Sequence, residues 1–186
     1  GQGAFSACRG LKSVNFGAGL VLIGEKAFSE CDGLKNVTVP NNVKAIEANA
    51  FYECNGLVSV EIESALDSIG KHAFYSCNSL ESVNITGSVA KICESAFSYC
   101  ENLKSLKLAK GPDYIGNYAF YRCQSLGNVE IPESTTHIGE NAFQYCLNLE
   151  SVTLPESITS LGASSFDNCT SLMSVSCKWE SLADVS

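Results

Sequence analysis

The stretch Ile138-Gly-Glu-Asn-Ala-Phe-Gln-Tyr-Cys-Leu-Asn-Leu-Glu-Ser-Val-Thr-Leu-Pro155 holds the residues that recur along the whole chain. Its phenylalanine is one of a series, Phe5, Phe28, Phe51, Phe74, Phe97, Phe120, Phe143 and Phe166, spaced 23 residues apart without a slip. A cysteine follows three residues later each time, at 8, 31, 54, 77, 100, 123, 146 and 169. Leucine stands six after the phenylalanine in all eight units, from Leu11 to Leu172. Valine or leucine stands nine after it, and a further residue, usually apolar, eleven after it. An Ile or Leu row, often followed by Gly as in Ile138-Gly139, completes the unit A-F-x-x-C-x-x-L-x-x-V-x-I-x-x-x-x-x-x-I-G-x-x. Self-similarity at such a period is the signature of stacked repeats.

The V-x-I alternation predicts a short strand with one buried face. Pro40, Pro132 and Pro155 fall in the turn after it, and a second short extended segment carries the next Ile. The glycine is expected to turn the chain sharply, with positive φ. The A-F-x-x-C segment is expected to form a short helical or 3-10 turn. One unit cannot bury its own Phe, Leu, Val and Ile, but stacked neighbours can. The expected fold is a β-rich repeat solenoid of eight units, each with one or two short strands. Rungs about 4.8 Å apart give a length of roughly 38 Å.

The 186 residues read as one solenoid domain, with repeats from about 4 to 177 and a degenerate tail or cap over 178–186. An apolar fraction of 45% excludes a disordered chain. A net charge of −8 excludes a basic surface for nucleic acid or anionic membrane. No apolar run reaches about 18 residues, so no membrane insertion is expected.

The cysteine row has three readings. Disulfides would need the same strained closure in every unit. Metal ligands would need clusters and histidine partners that the pattern does not supply. Small buried hydrophobes fit a slot repeated eight times, which is the favoured reading. Cys177 falls in the strand's apolar row and Cys93 in the glycine position, and Cys93 is expected to be the more exposed and reactive.

The L-x-x-V-x-I run resembles the leucine-rich repeat. The full signature I-G-x-x-A-F-x-x-C-x-x-L, from Ala4 to about Val175, resembles the BspA-like leucine-rich repeat family. The resemblance implies a right-handed coil. It further implies a cell-surface or secreted protein of host-associated bacteria, working by adhesion and without catalysis. Where the general repeat keeps an asparagine or cysteine ladder, this chain reads Gly19, Asn42, Ala65, Ser88, Gly111, Ser134 and Ser157, so curvature does not carry over.

Candidate function lies in rows that vary. Asn15, Thr38, Glu61, Asn84, Lys107, Glu130, Thr153 and Ser176 flank the inward valines and are expected to face solvent; Thr38 through Thr153 form the candidate interaction row. Tyr52, Tyr75, Tyr99, Tyr121 and Tyr145 decorate one edge, and rings with polar tips are favoured in binding sites. The Ser or Asn row from Ser13 to Ser174 is expected to bond along the stack. His72 and His137 sit at different places in the unit, too far apart for a relay or a shared metal. No cofactor, metal or enzymatic activity is expected, and no cleft is visible in the pattern. The sequons at Asn36, Asn84 and Asn168 arise readily from the template.

The chain enters in mid-unit and reads as a piece of something longer, with Trp179, Leu182 and Val185 as a candidate C-terminal cap. The leading functional reading is a monomeric, non-enzymatic module binding a host or microbial surface protein through the variable strand row. The alternatives are a structural stalk and a glycan-binding module using the tyrosine edge.

Overall fold

The computed structural model describes residues 1–177; the candidate cap at 178–186 lies outside them. Thirteen strands, numbered in chain order, fall into two rows along the stack. The first row holds β2 (Asn36–Val39), β4 (Ser59–Ile62), β7 (Ser105–Lys110), β9 (Val129–Glu130), β11 (Ser151–Leu154) and β13 (Ser174–Cys177). The second holds β1 (Leu22–Ile23), β3 (Ala45–Ile46), β5 (Ala65–Ile69), β8 (Tyr114–Ile115), β10 (His137–Ile138) and β12 (Ser160–Leu161). The strand β6 (Ser82–Ile92) runs through both rows without a break. All pairing is parallel and joins residues 23 apart, as in Val37 with Val60 and Ile46 with Ile69, except that a register shift after Ile85 pairs Ser88 with Lys110. The expected solenoid is thus the observed one.

The period becomes a set of core ladders. Phe51, Phe74, Phe97, Phe120 and Phe143 are fully buried, and successive rings of the series stack with centroids 5.0–5.3 Å apart. Each fully buried side chain of this kind contributes about 1.5–3 kcal/mol. The rungs at the two ends lose that cover: Phe5 is 49% exposed and Val175 52%.

The corner carrying A-F-x-x-C departs from the expected helical or 3-10 turn. It is a run of overlapping turns in which alternate amides serve different purposes. The Ala50, Tyr52 and Cys54 amides donate to carbonyls three residues back, at Glu47, Asn49 and Phe51. The intervening Asn49, Phe51 and Glu53 amides donate across to Lys71, Ala73 and Tyr75 of the next coil. A helix would spend all of these amides internally. The alternation holds because two positions per unit, two before and two after the phenylalanine, are left-handed. Asn49 has φ 56° and Glu53 has φ 52°.

The repeating glycine therefore has a different role from the expected one. Its φ is not positive; the adjacent coil is simply too close for a side chain. A Cβ on Gly70 would lie 2.6 Å from the Glu47 carbonyl carbon and 2.7 Å from the Ala48 nitrogen.

The cysteine row is free thiol throughout the described residues. It is not inert filler. Each thiol from Cys31 to Cys169 donates to the phenylalanine carbonyl of the coil before it, at 3.0–3.4 Å. The expectation for the two outlying cysteines is reversed. Cys177 is exposed, whereas Cys93 is half-buried.

Candidate interaction surfaces

Parallel register brings the variable row together. Thr38, Glu61, Asn84 and Lys107 are successive partners across β2, β4, β6 and β7, and Glu130 pairs with Thr153 across β9 and β11. Thr38, Lys107 and Glu130 are exposed; Glu61, Asn84 and Thr153 are half-buried. The row is not wholly free: the Asn84 amide donates to Glu61 Oε2 at 2.7 Å. The neighbouring Ser/Asn row does bond along the stack at two places. Ser59 Oγ donates to Asn36 Oδ1 at 2.8 Å, and Ser151 Oγ to Asn128 Oδ1 at 2.7 Å.

Sequence reading missed a discontinuity in this face. β7 pairs only with β6, and β9 only with β11, so the first-row sheet is interrupted between Lys107 and Glu130. On the other side of the same coils β8 and β10 stay paired, so the solenoid opens on one face only. A hollow of about 680 Å³ lies at the break, with Lys107 and Lys110 on one wall and Glu130 and Ser134 on the other. The expectation of a face without a cleft is therefore corrected. Among the described residues no ion pair bridges Lys107 to Glu130. The signal was present locally: Gly127 stands where other units carry Lys, Val, Glu or Met, and Gly111 packs its bare Cα against the Pro132 ring.

The tyrosines form one continuous aromatic edge. Tyr52 stacks on Tyr75 at 5.3 Å, and Tyr75–Tyr99, Tyr99–Tyr121 and Tyr121–Tyr145 follow at 5.3, 5.4 and 5.7 Å. Tyr118 joins Tyr121 at 5.6 Å. All five ladder tyrosines are half-buried. The Tyr52 phenol is pushed up to about 12, first by its hydrogen bond with Glu53 and then by burial. Sequence reading overlooked Arg122, which occupies the same unit position as Tyr99 and Tyr145 and lies between them.

The histidines remain apart. His137 stacks on Tyr114 at 4.7 Å, while His72 meets the edge of Tyr75 at 5.2 Å and burial lowers its pKa. Among the described residues no group of three or more His, Cys, Asp or Glu side chains is placed to hold a metal, and no helix is long and apolar enough to cross a membrane.

The BspA type leucine rich repeat region matches residues 1–104 and 91–185, in six copies. The chain belongs to the BspA-type leucine-rich repeat family. Its fold is similar to the crystal structure of a T. pallidum leucine rich repeat protein, with a TM-score of 0.70 and 30% identity over 77% of this chain and 70% of that one. A leucine-rich repeat protein from Bacteroides ovatus gives a TM-score of 0.48 and 27% identity, over 94% of this chain and 57% of that one. No curated sequence matches the chain. Leucine-rich repeat families are in general scaffolds for protein interaction and are typically non-enzymatic. In this BspA-type coil the invariant rows are consumed by the core, and the variable residues form the strand row and the tyrosine edge.

Proposed function

We propose that this chain is a protein-interaction module of a cell-surface or secreted protein, and that it engages its partner through the first-row strand face. The observation that supports this most directly is the juxtaposition of Lys107 and Glu130 at the break in the sheet. Two opposite, exposed charges stand on facing walls of a hollow, with no ion pair between them. Elsewhere on the surface, adjacent coils do neutralise such pairs, as Lys71 does with Glu94 at 3.0 Å and Lys104 with Glu81 at 3.3 Å. Charges left open at a concave place steer and orient a partner. The surface or secreted placement follows the family.

The test is a binding screen against purified extracellular-matrix and bacterial surface proteins, followed by Lys107→Glu and Glu130→Lys. Saturable binding of the parent chain, lost in both variants at an unchanged unfolding midpoint, supports the reading. Saturable binding that survives both variants places the contact elsewhere. Absence of saturable binding to any of them favours a spacer.

A further inference from the structure

Arg122 is a rung of the tyrosine ladder. Tyr99, Arg122 and Tyr145 stand at the same position in three successive units, and all three backbones are left-handed, at φ 62°, 59° and 61°. The coil therefore aims the three side chains alike. The guanidinium carbon lies 5.8 Å from the Tyr99 ring centre, 5.7 Å from Tyr121 and 5.1 Å from Tyr145. Three ring faces hold one cation, an arrangement that restricts a side chain otherwise rich in rotamers.

The arrangement spends little of the arginine's hydrogen-bonding capacity. Nε donates to Tyr121 Oη at a long 3.4 Å, and among the described residues no acceptor takes the Nη groups. Among the described residues no carboxylate pairs with it either, although Arg9 is paired with both Glu30 and Asp32. Two acids of neighbouring coils are engaged by amides: Gln124 donates to Glu101 Oε1 at 3.2 Å, and Gln144 to Asp167 Oδ2 at 2.7 Å. The result is an immobilised guanidinium fork, flanked by aromatic rings and open to solvent, on a chain whose net charge of −8 would otherwise repel anions.

We propose that the Tyr99–Arg122–Tyr145 rungs, with Tyr118 and Tyr121 beside them, bind a carboxylate-bearing pyranose of the sialic or uronic acid type. Each part of the site matches a part of that ligand. The planar fork meets a carboxylate with two parallel hydrogen bonds, which an ammonium cannot reproduce. The ring faces meet the apolar face of a sugar, and the phenol groups meet its hydroxyls. A single cation suits a singly charged carboxylate better than a phosphate dianion, since among the described residues only Arg122 lies over these rings. This rests on reading the tyrosine edge, rather than the strand face, as a glycan surface, so its failure is separable from that of the protein-binding proposal.

The experiment is titration of the chain, by calorimetry and by tyrosine NMR shifts, with sialyllactose, a glucuronate-terminated hyaluronan oligosaccharide, and lactose as the neutral control. The expected result is saturable binding of at least one acidic sugar, with lactose weaker by at least about tenfold, the size of a hydrogen bond to a charged group. The sugar bound identifies the source. Arg122→Lys, which keeps the charge but not the fork, is expected to lose about tenfold or more, and Tyr145→Leu a comparable amount. Tyr52→Phe, outside the contacts of Arg122, and Lys107→Glu on the other face are expected to bind as the parent does. Thermal unfolding of each variant checks the fold. Binding of neither acidic sugar, or acidic binding that Arg122→Lys leaves intact, overturns the proposal. Equal binding of lactose with loss only in Tyr145→Leu also overturns it, while leaving the edge a surface for neutral sugars.

Discussion

The Cys77 thiol donates to the Phe51 carbonyl at 3.2 Å, across the boundary between two coils. The same carbonyl accepts the Cys54 amide at 3.3 Å from within its own coil, so both of its lone pairs are used. The cysteine row is thus a volume filler and an inter-coil tie at once. Replacing Cys77, which is fully buried, with alanine removes a packed sulfur and that hydrogen bond together. Cys77→Ala is expected to lower the unfolding free energy by about 1–2 kcal/mol in urea titrations. Cys8→Ala, at the exposed end rung, should stay within about 0.5 kcal/mol of the parent. Equal effects at the two sites would contradict the tie.

Thiol accessibility follows from the same geometry. Of the ten cysteines, Cys8 and Cys177 are exposed, Cys93 is half-buried and the other seven are buried. A disulfide-exchange reagent at neutral pH is expected to modify Cys8 and Cys177 quickly and Cys93 slowly. The remaining seven should react only at the rate of unfolding. Mass spectrometry of peptides after timed quenching gives the order directly.

Alkali should unfold this protein through its core. Burial pushes the Cys54, Cys77, Cys100, Cys123 and Cys146 thiols up from their ordinary value of 9.0, and raises Cys169 to about 11. A raised folded-state pKa means that the folded chain holds its protons more tightly than the unfolded chain. The associated stability is fully present below the unfolded value of about 9 and is lost as the pH climbs from there through the folded values. Each such thiol weakens folding by up to about 1.4 kcal/mol per pH unit in that window. Urea midpoints should be flat from pH 7 to about 8 and fall steeply above about 9. A midpoint that holds steady through about pH 10.5 would show that the thiols are not protected in this way.

Two backbone substitutions separate close approach from conformational strain. Gly70→Ala places a methyl against Glu47 and Ala48 backbone atoms at 2.6–2.7 Å and is expected to cost about 1–3 kcal/mol. Lys26 is exposed, with φ 54°. Lys26→Gly relieves about 1 kcal/mol of left-handed strain and loses a similar amount through unfolded-state entropy, so it should be nearly neutral. Circular-dichroism melts suffice; a neutral Gly70→Ala would show that neighbouring coils can move apart.

The solenoid was legible because the sequence repeats its apolar rows without a slip. The alternation of Val37 and Val39 inward with Thr38 outward is local and survives into β2 unchanged. The corner was misread because A-F-x-x-C has helical spacing, while the competing bonds go to a coil that begins 23 residues later. Gly70 was read as a flexible turn residue because sequence shows which residue lacks a Cβ, not what would touch it.

By itself the sequence determined the period, the identity of every core ladder and which rows are free to vary. Those follow from one physical demand: an apolar residue at a fixed place in each unit must find its own counterpart next door. Only the tertiary structure decided where the sheet breaks between β7 and β9, that Asn84 ties up Glu61, and that Arg122 lies between Tyr99 and Tyr145 with its fork unspent. Each depends on which atoms of neighbouring coils meet, and the repeat itself does not set that. A repeating pattern specifies the stack, and the exceptions to it are settled by contact.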